Sequence, residues 1–246
     1  SDNQNKREKD KLPSLGATGR DHVVSGMRAL AGMAPVVGPV LSEVIGEIIP
    51  QQRRERLEAY VKALEARIEH LEQTQIKEKF QNFENVDLFE EGAFQAARAL
   101  SQDRIGYIAH IVANGISGEE KEKNESKRLL AILSELEDDQ IIRLTSYLHK
   151  NQQDNDFRER HEDVLQPIPA HLQSSREELD RASLRDAAFQ QLTRMGLLRP
   201  RFKKPKKNEL PELDEKTGMM KAQGYDITPL GRLLLRYTGL ADPEDM

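Results

Sequence analysis

The sequence predicts a mostly α protein, a helical bundle with a C-terminal winged-helix module, and three observations carry that expectation. Charged residues make up 32% of the chain and aromatics only 5%, with no Trp, which suits helices with solvated faces better than an aromatic-rich sheet. Apolar residues recur at three- and four-residue spacings through most of the chain. The C-terminal part then runs helix, short strand, basic loop, short strand, helix. In LTRMGLL (Leu192–Leu198) an amphipathic helix ends at Gly196, which accepts the left-handed conformation of a helix C-terminus, and an apolar strand follows at once. In YDITPLGRLLLRYTGL (Tyr225–Leu240) Thr228 is a good N-cap and Pro229 a good first helical residue. The predicted strands are therefore Leu197–Phe202 and Tyr225–Ile227, and the closing helix Pro229–Tyr237.

In chain order, residues 1–21 are polar, lack an apolar core of the kind a secretory signal needs, and read as a disordered tail. Residues 22–50 change abruptly to a Gly/Pro-rich apolar stretch. Its uncharged run, Ala29–Ser42, is shorter than the roughly 20 residues of a spanning helix and is broken by Pro35 and Pro39. Two short helices joined by a tight turn fit it better, with Val36, Val37, Val40, Leu41, Val44 and Ile45 as the apolar surface of a hairpin. Such a hairpin is covered by the rest of the chain or another copy, or else it meets a membrane. The first alternative leads, because Glu43 and Glu47 lie one turn apart on the second helix and are costly at depth in lipid.

Residues 51–118 form a helical region that starts with a long helix, Gln51 to about Lys79. Leu57, Val61, Leu64, Ile68 and Leu71 alternate spacings of four and three along it, a seam for self-association or for packing inside the bundle. Helices are expected next over Asn85–Ser101, with Phe94, Ala97 and Leu100 inward, and over Gln102–Ile116, with Ile105, Ile108, Ile111 and Val112 inward. Residues 119–240 read as a winged-helix-like domain. Its first two helices are Glu119–Leu136 and Asp138–His149, and a long polar insertion, 151–174, separates them from the helix that a nucleic-acid reader inserts into a groove.

The chemistry-bearing residues are sparse. With no Cys there is no disulfide framework, thiolate nucleophile or thiolate metal site. His149, His161 and His171 accompany Glu159, Glu162 and Asp163, but without HExxH or paired ExxH spacing. Phosphate-binding glycine loops and a nucleophile elbow are likewise lacking. The expectation is no enzyme, no cofactor and no metal. The strongest binding signal is the basic wing of Arg199, Arg201, Lys203, Lys204, Lys206 and Lys207, suited to phosphate contacts without sequence readout. Against it, the chain's net charge is -5, and the helix ahead of the wing balances Arg176, Arg181, Arg185 and Arg194 with Glu177, Glu178, Asp180 and Asp186. A nucleic-acid partner is therefore the alternative to a protein partner.

RIGYIAHIVANGIS (Arg104–Ser117), LLAILSELEDDQIIRL (Leu129–Leu144), LTRMGLL and YDITPLGRLLLRY together resemble the Abi-alpha group of bacterial proteins associated with abortive phage infection. The resemblance covers roughly Val23 to Leu240 and implies an apolar N-terminal segment, a helical region and a winged-helix-like tail. It also implies a bacterial or prophage-encoded antiviral defence function with no catalytic residues to carry over. The expected protein is a non-enzymatic homo-oligomer or partner-binding protein, cytoplasmic or peripheral to the inner membrane. The runner-up is a nucleic-acid-binding regulator that uses the basic wing.

Overall fold

The computed structural model describes residues 51–166, 174–203 and 220–242, together with 210, 212, 213 and 218. The tail, the apolar hairpin from Val36 to Ile45, and Lys204, Lys206 and Lys207 lie outside the described residues. Among the described residues the chain is mostly helical, with one small two-stranded sheet. The order is α1 (Gln51–Ile68), α2 (Gln73–Gln81), α3 (Phe83–Ala96), α4 (Gln102–Ser117), α5 (Glu120–Ser134), α6 (Asp138–Thr145), α7 (His149–Gln152), α8 (Asn155–Arg160), α9 (Glu162–Leu165), α10 (Arg176–Arg194), β1 (Leu198–Phe202), β2 (Ala222–Ile227) and α11 (Pro229–Tyr237). No described helix is long and apolar enough to cross a membrane.

Helix α4 is the axis on which the others pack. Ser101 caps it by accepting from the Arg104 amide at 3.1 Å. Ile105, Ile108, Ile111, Val112 and Ile116, with Ala109 and Ala113 between them, are all buried, so α4 turns apolar surface to α1, α3 and α5 at once. Each fully buried Ile or Leu contributes on the order of 1.5–3 kcal/mol relative to exposure. Leu57, Val61, Leu64 and Ile68 of α1 belong to this core, and the Tyr60 hydroxyl, buried beside them, donates to the Phe89 carbonyl of α3 at 3.2 Å. Leu129, Leu130 and Leu133 of α5, and Ile141 and Leu144 of α6, complete it.

Several helix ends depart from expectation where a local cap outcompetes the apolar period. The long helix stops at Ile68, because Glu72 and Gln75 form a reciprocal capping box that starts α2 instead. Leu71 therefore falls in the link, half-buried, rather than on the seam of a continuous helix. Asn82 accepts from the Glu84 amide at 2.8 Å and starts α3 earlier than Asn85. That helix ends at Ala96, so Leu100 sits in the turn before the Ser101 cap and is 88% exposed, not inward. Phe94 is half-buried, with the Arg98 guanidinium over its ring at 5.6 Å. Helix α6 ends at Thr145, short of His149, and the described part of 151–174 is not featureless. Asp154 caps α8 through the Phe157 amide at 3.1 Å, and Phe157 is buried. Strand β2 begins three residues before Tyr225, at Ala222.

One guanidinium fixes the corner between α5 and α6. Arg104 Nε donates to Asp138 Oδ1 at 2.8 Å, Nη1 to the Leu133 carbonyl at 2.9 Å, and Nη2 to the Leu136 carbonyl. The Ser101 hydroxyl donates to the other Asp138 oxygen at 2.6 Å. A cation thus sits at the C-terminal carbonyls of α5 while its counter-ion occupies the first turn of α6, each on the favourable end of a helix dipole. Arg104→Met should cost about 3 kcal/mol, since carbonyls and a carboxylate lose their donor, and should lower Tm by roughly 6–12 °C in calorimetry. An unchanged Tm would show that water replaces the guanidinium at no cost.

Candidate functional site

Helix α10 lies at the edge of the core, with the β1–β2 hairpin behind it. Ser175 and Glu178 form a capping box, which starts α10. Of its 19 residues only Leu192 is buried. Leu179 is 43% exposed and Leu184 72%. Polar bonds anchor its C-terminal half to α6: Gln140 Nε2 donates to the Ala188 carbonyl at 2.9 Å and to Gln191 Oε1 at 3.2 Å, and Gln191 Nε2 donates to the Glu135 carbonyl at 2.7 Å. Arg185 donates to the carbonyls of Asp163 and Gln166. Between α6 and α10 runs an open cleft of about 580 Å³, with Glu137 and Asp139 on one side and Leu184, Ala187 and Arg194 on the other.

The chain leaves α10 through two glycine-dependent contacts. Gly196, at φ 72°, ends the helix while its amide donates to the Thr193 carbonyl and the Leu197 amide to the Leu192 carbonyl, both at 3.0 Å, a Schellman pair. Strands β1 and β2 pair antiparallel from Leu198 opposite Ile227 to Phe202 opposite Ala222. The Phe189 ring of α10 meets Tyr225 of β2 edge-on at 4.5 Å. Thr228 then works in two directions. Its hydroxyl accepts from the Gly231 amide at 3.1 Å, capping α11, and donates to the Gly196 carbonyl at 2.6 Å. A Cβ on Gly231 would lie 2.5 Å from the Leu197 carbonyl oxygen, so α11 can approach the strand this closely only with glycine there. Beyond it Leu234 and Leu235 are buried, α11 packs on α4 and α5, and the Tyr237 hydroxyl donates to Glu125 at 2.6 Å.

The residues singled out from sequence fall in different places. Leu57, Val61, Leu64 and Ile68 are spent inside the core, so they present no outward surface. Arg199 is exposed on β1, Arg201 lies 3.4 Å from Asp226 and Lys203 lies 3.2 Å from Glu212. Two of the three described wing cations thus have a carboxylate beside them. His149 is exposed at the start of α7, and the His161 ring lies tilted against Phe157 with centroids 4.8 Å apart. Among the described residues no group of three His, Asp or Glu side chains could hold a metal ion. Arg104, Gln140 and Gln191, which hold the site in place, have no catalytic or ligand-binding spacing around them that would single them out in the sequence.

Burial is the leading cause of the tyrosine, arginine and histidine shifts, whereas Glu120 is lowered by its hydrogen bond with Lys123. Burial raises Tyr60 and Tyr147, and takes Tyr107 up to about 12 with Asp103 and Asp138 adding to the effect. Arg143 is lowered by burial and by Arg185, and it donates to the Val164 carbonyl beside a cleft of about 880 Å³. His110 on α4 is lowered from its ordinary 6.5 by partial burial and then by Arg67. Its folded pKa lies below the unfolded one, so on acidification the unfolded chain takes the proton first. Stability is lost as pH falls through the unfolded value toward the folded one.

The Tm difference between about pH 7.5 and pH 5 should accordingly be smaller in His110→Gln than in wild type; an equal or larger difference would show that His110 contributes nothing to acid sensitivity. Gly231→Ala should destabilise the chain by about 1–3 kcal/mol through overpacking against Leu197, read as a lower denaturant midpoint at unchanged slope. Comparison with known proteins adds no relative: no family model, no curated protein and no solved structure matches this chain.

Proposed function

We propose that this chain is a non-enzymatic bacterial or prophage-encoded defence protein of the abortive-infection kind, acting through self-association, partner binding or triggered membrane contact. The observation that carries the binding reading is α10, a 19-residue helix that buries only Leu192 and keeps Leu179 and Leu184 in water. Helices take most of their stability from packing, so one this exposed gains most when another surface covers it. The order α5, α6, α10, β1, β2, α11, with α10 ahead of a two-stranded antiparallel hairpin and α11 closing behind it, supports a winged-helix reading of the C-terminal part. In this reading it displays α10 and the wing on the helical body, and the apolar stretch 22–50 is the effector.

A protein partner is favoured over nucleic acid because Arg201 and Lys203 already lie beside Asp226 and Glu212. Four carboxylates also share α10 with its four arginines, and they would repel a phosphate groove. In phage challenge, cells expressing wild-type protein should show a lower plating efficiency than vector controls, and deletion of residues 23–49 should abolish the protection. Equal plating with wild type and vector across a broad phage panel would overturn the defence reading. Duplex-DNA binding that weakens steeply with salt and disappears in Arg199→Glu/Arg201→Glu/Lys203→Glu would replace it with the regulator.

A further inference from the structure

Along α10 the residues Glu177, Asp180, Leu184, Ala187, Gln191 and Arg194 alternate spacings of three and four, so they lie on one stripe about 25 Å long. The stripe is acidic at its N-terminal end, apolar in the middle and basic at its C-terminal end. It is also self-complementary when reversed. Laid antiparallel about a two-fold axis between Arg185 and Asp186, one copy of the helix sets Glu177 opposite Arg194 of another, Asp180 opposite Gln191, and Leu184 opposite Ala187. Each pairing occurs twice, and no like charges meet on the stripe.

The groove beside the stripe fits the same occupant. The cleft of about 580 Å³ between α6 and α10 has Leu184, Ala187 and Arg194 on the α10 side and the exposed carboxylates Glu137 and Asp139 on the α6 side. In the antiparallel arrangement Arg181 of the second copy comes opposite Gln190, another residue of that cleft, and so approaches Glu137 and Asp139. Asp138 between them is already committed to Arg104 and Ser101. The floor is rigid, because Gln191 is bonded to both Gln140 and Glu135.

We propose that the α10 stripe and the adjoining cleft form an isologous dimer interface occupied by α10 of a second copy of this chain. A closed two-fold contact of this kind buries Leu184 at its centre and rims it with charge pairs. The proposal rests on the binding reading of α10. Its readout is mass rather than plaque count, so the two can fail separately.

Light scattering of the full chain over about 1 to 100 μM should show a mass approaching twice the 28.0 kDa of one chain, with a concentration-dependent fraction of dimer. Leu184→Asp, on an exposed position, should leave the melting curve intact and weaken the dimer by roughly 30-fold or more. Leu179→Asp, about 140° round the helix from Leu184, should leave the dimer unchanged. Glu177→Arg and Arg194→Glu should each weaken it several-fold. Mixing those two proteins should restore a heterodimer, and combining both changes in one chain should restore the homodimer. A monomer at every concentration would overturn the proposal. So would a dimer indifferent to Leu184→Asp and the charge exchange, since the copies would then meet elsewhere, as through residues 22–50 or the wing.

Discussion

The bond set of the Arg104 guanidinium is the constraint on which the rest of the described structure depends. Helices α5 and α6 are joined by a short link, which by itself leaves their relative angle free. Arg104 removes that freedom by reaching from the first turn of α4 to the end of α5 and the beginning of α6 together. A planar donor with several N–H groups can satisfy two carbonyls and a carboxylate at once, which a lysine could not do with the same geometry. Helix α10 takes its position from this corner. Gln140, in the first turn of α6, holds α10, and α10 delivers the chain to β1.

A second tie runs from the far end of the chain back to the middle. Helix α11 buries Leu234 and Leu235 against the core, and the Tyr237 hydroxyl reaches Glu125 on α5. The hairpin is therefore gripped on both sides, by Thr228 at the Gly196–Leu197 link and by α11 against α4 and α5. The exposed length of α10 is left outside this grip. Rigidity in the body and exposure in one helix are what a recognition element needs, because a preorganised surface loses little entropy on binding.

Much of the architecture was legible in the sequence where one signal stood alone. Gly196 and the Thr228-Pro229 pair located the end of α10 and the start of α11, because each needs a backbone conformation that few residues supply. The apolar periods of α4 and α5 located the core. Legibility failed where two local signals competed. Glu72 with Gln75 broke an apolar period that otherwise continued to Leu71, and Asn82 and Ser101 shifted the helix boundaries that stranded Leu100 in water. The motifs behind the Abi-alpha resemblance fall largely on α4, α5 and α6, where Ile105, Ile108, Leu129 and Leu133 serve packing, so they speak to fold more than to chemistry. The stripe on α10 escaped because the charges of the whole helix sum to zero, and a sum discards their order along it.

The antiparallel pair β1–β2 also has a meaning in polymer terms. The chain between Phe202 and Ala222 leaves and re-enters on hydrogen-bonded neighbours, and its described residues add ties of their own, the Leu213–Met220 bridge and the Lys221 amide on the Glu212 carbonyl. Closure entropy grows only with the logarithm of loop length, about 0.6 kcal/mol for each doubling. Residues added beyond those ties therefore cost the body that carries them little stability. Added length is thus tolerated more readily there than substitution at Gly231, where a Cβ would lie 2.5 Å from a carbonyl oxygen, or at Thr228, whose hydroxyl both accepts and donates.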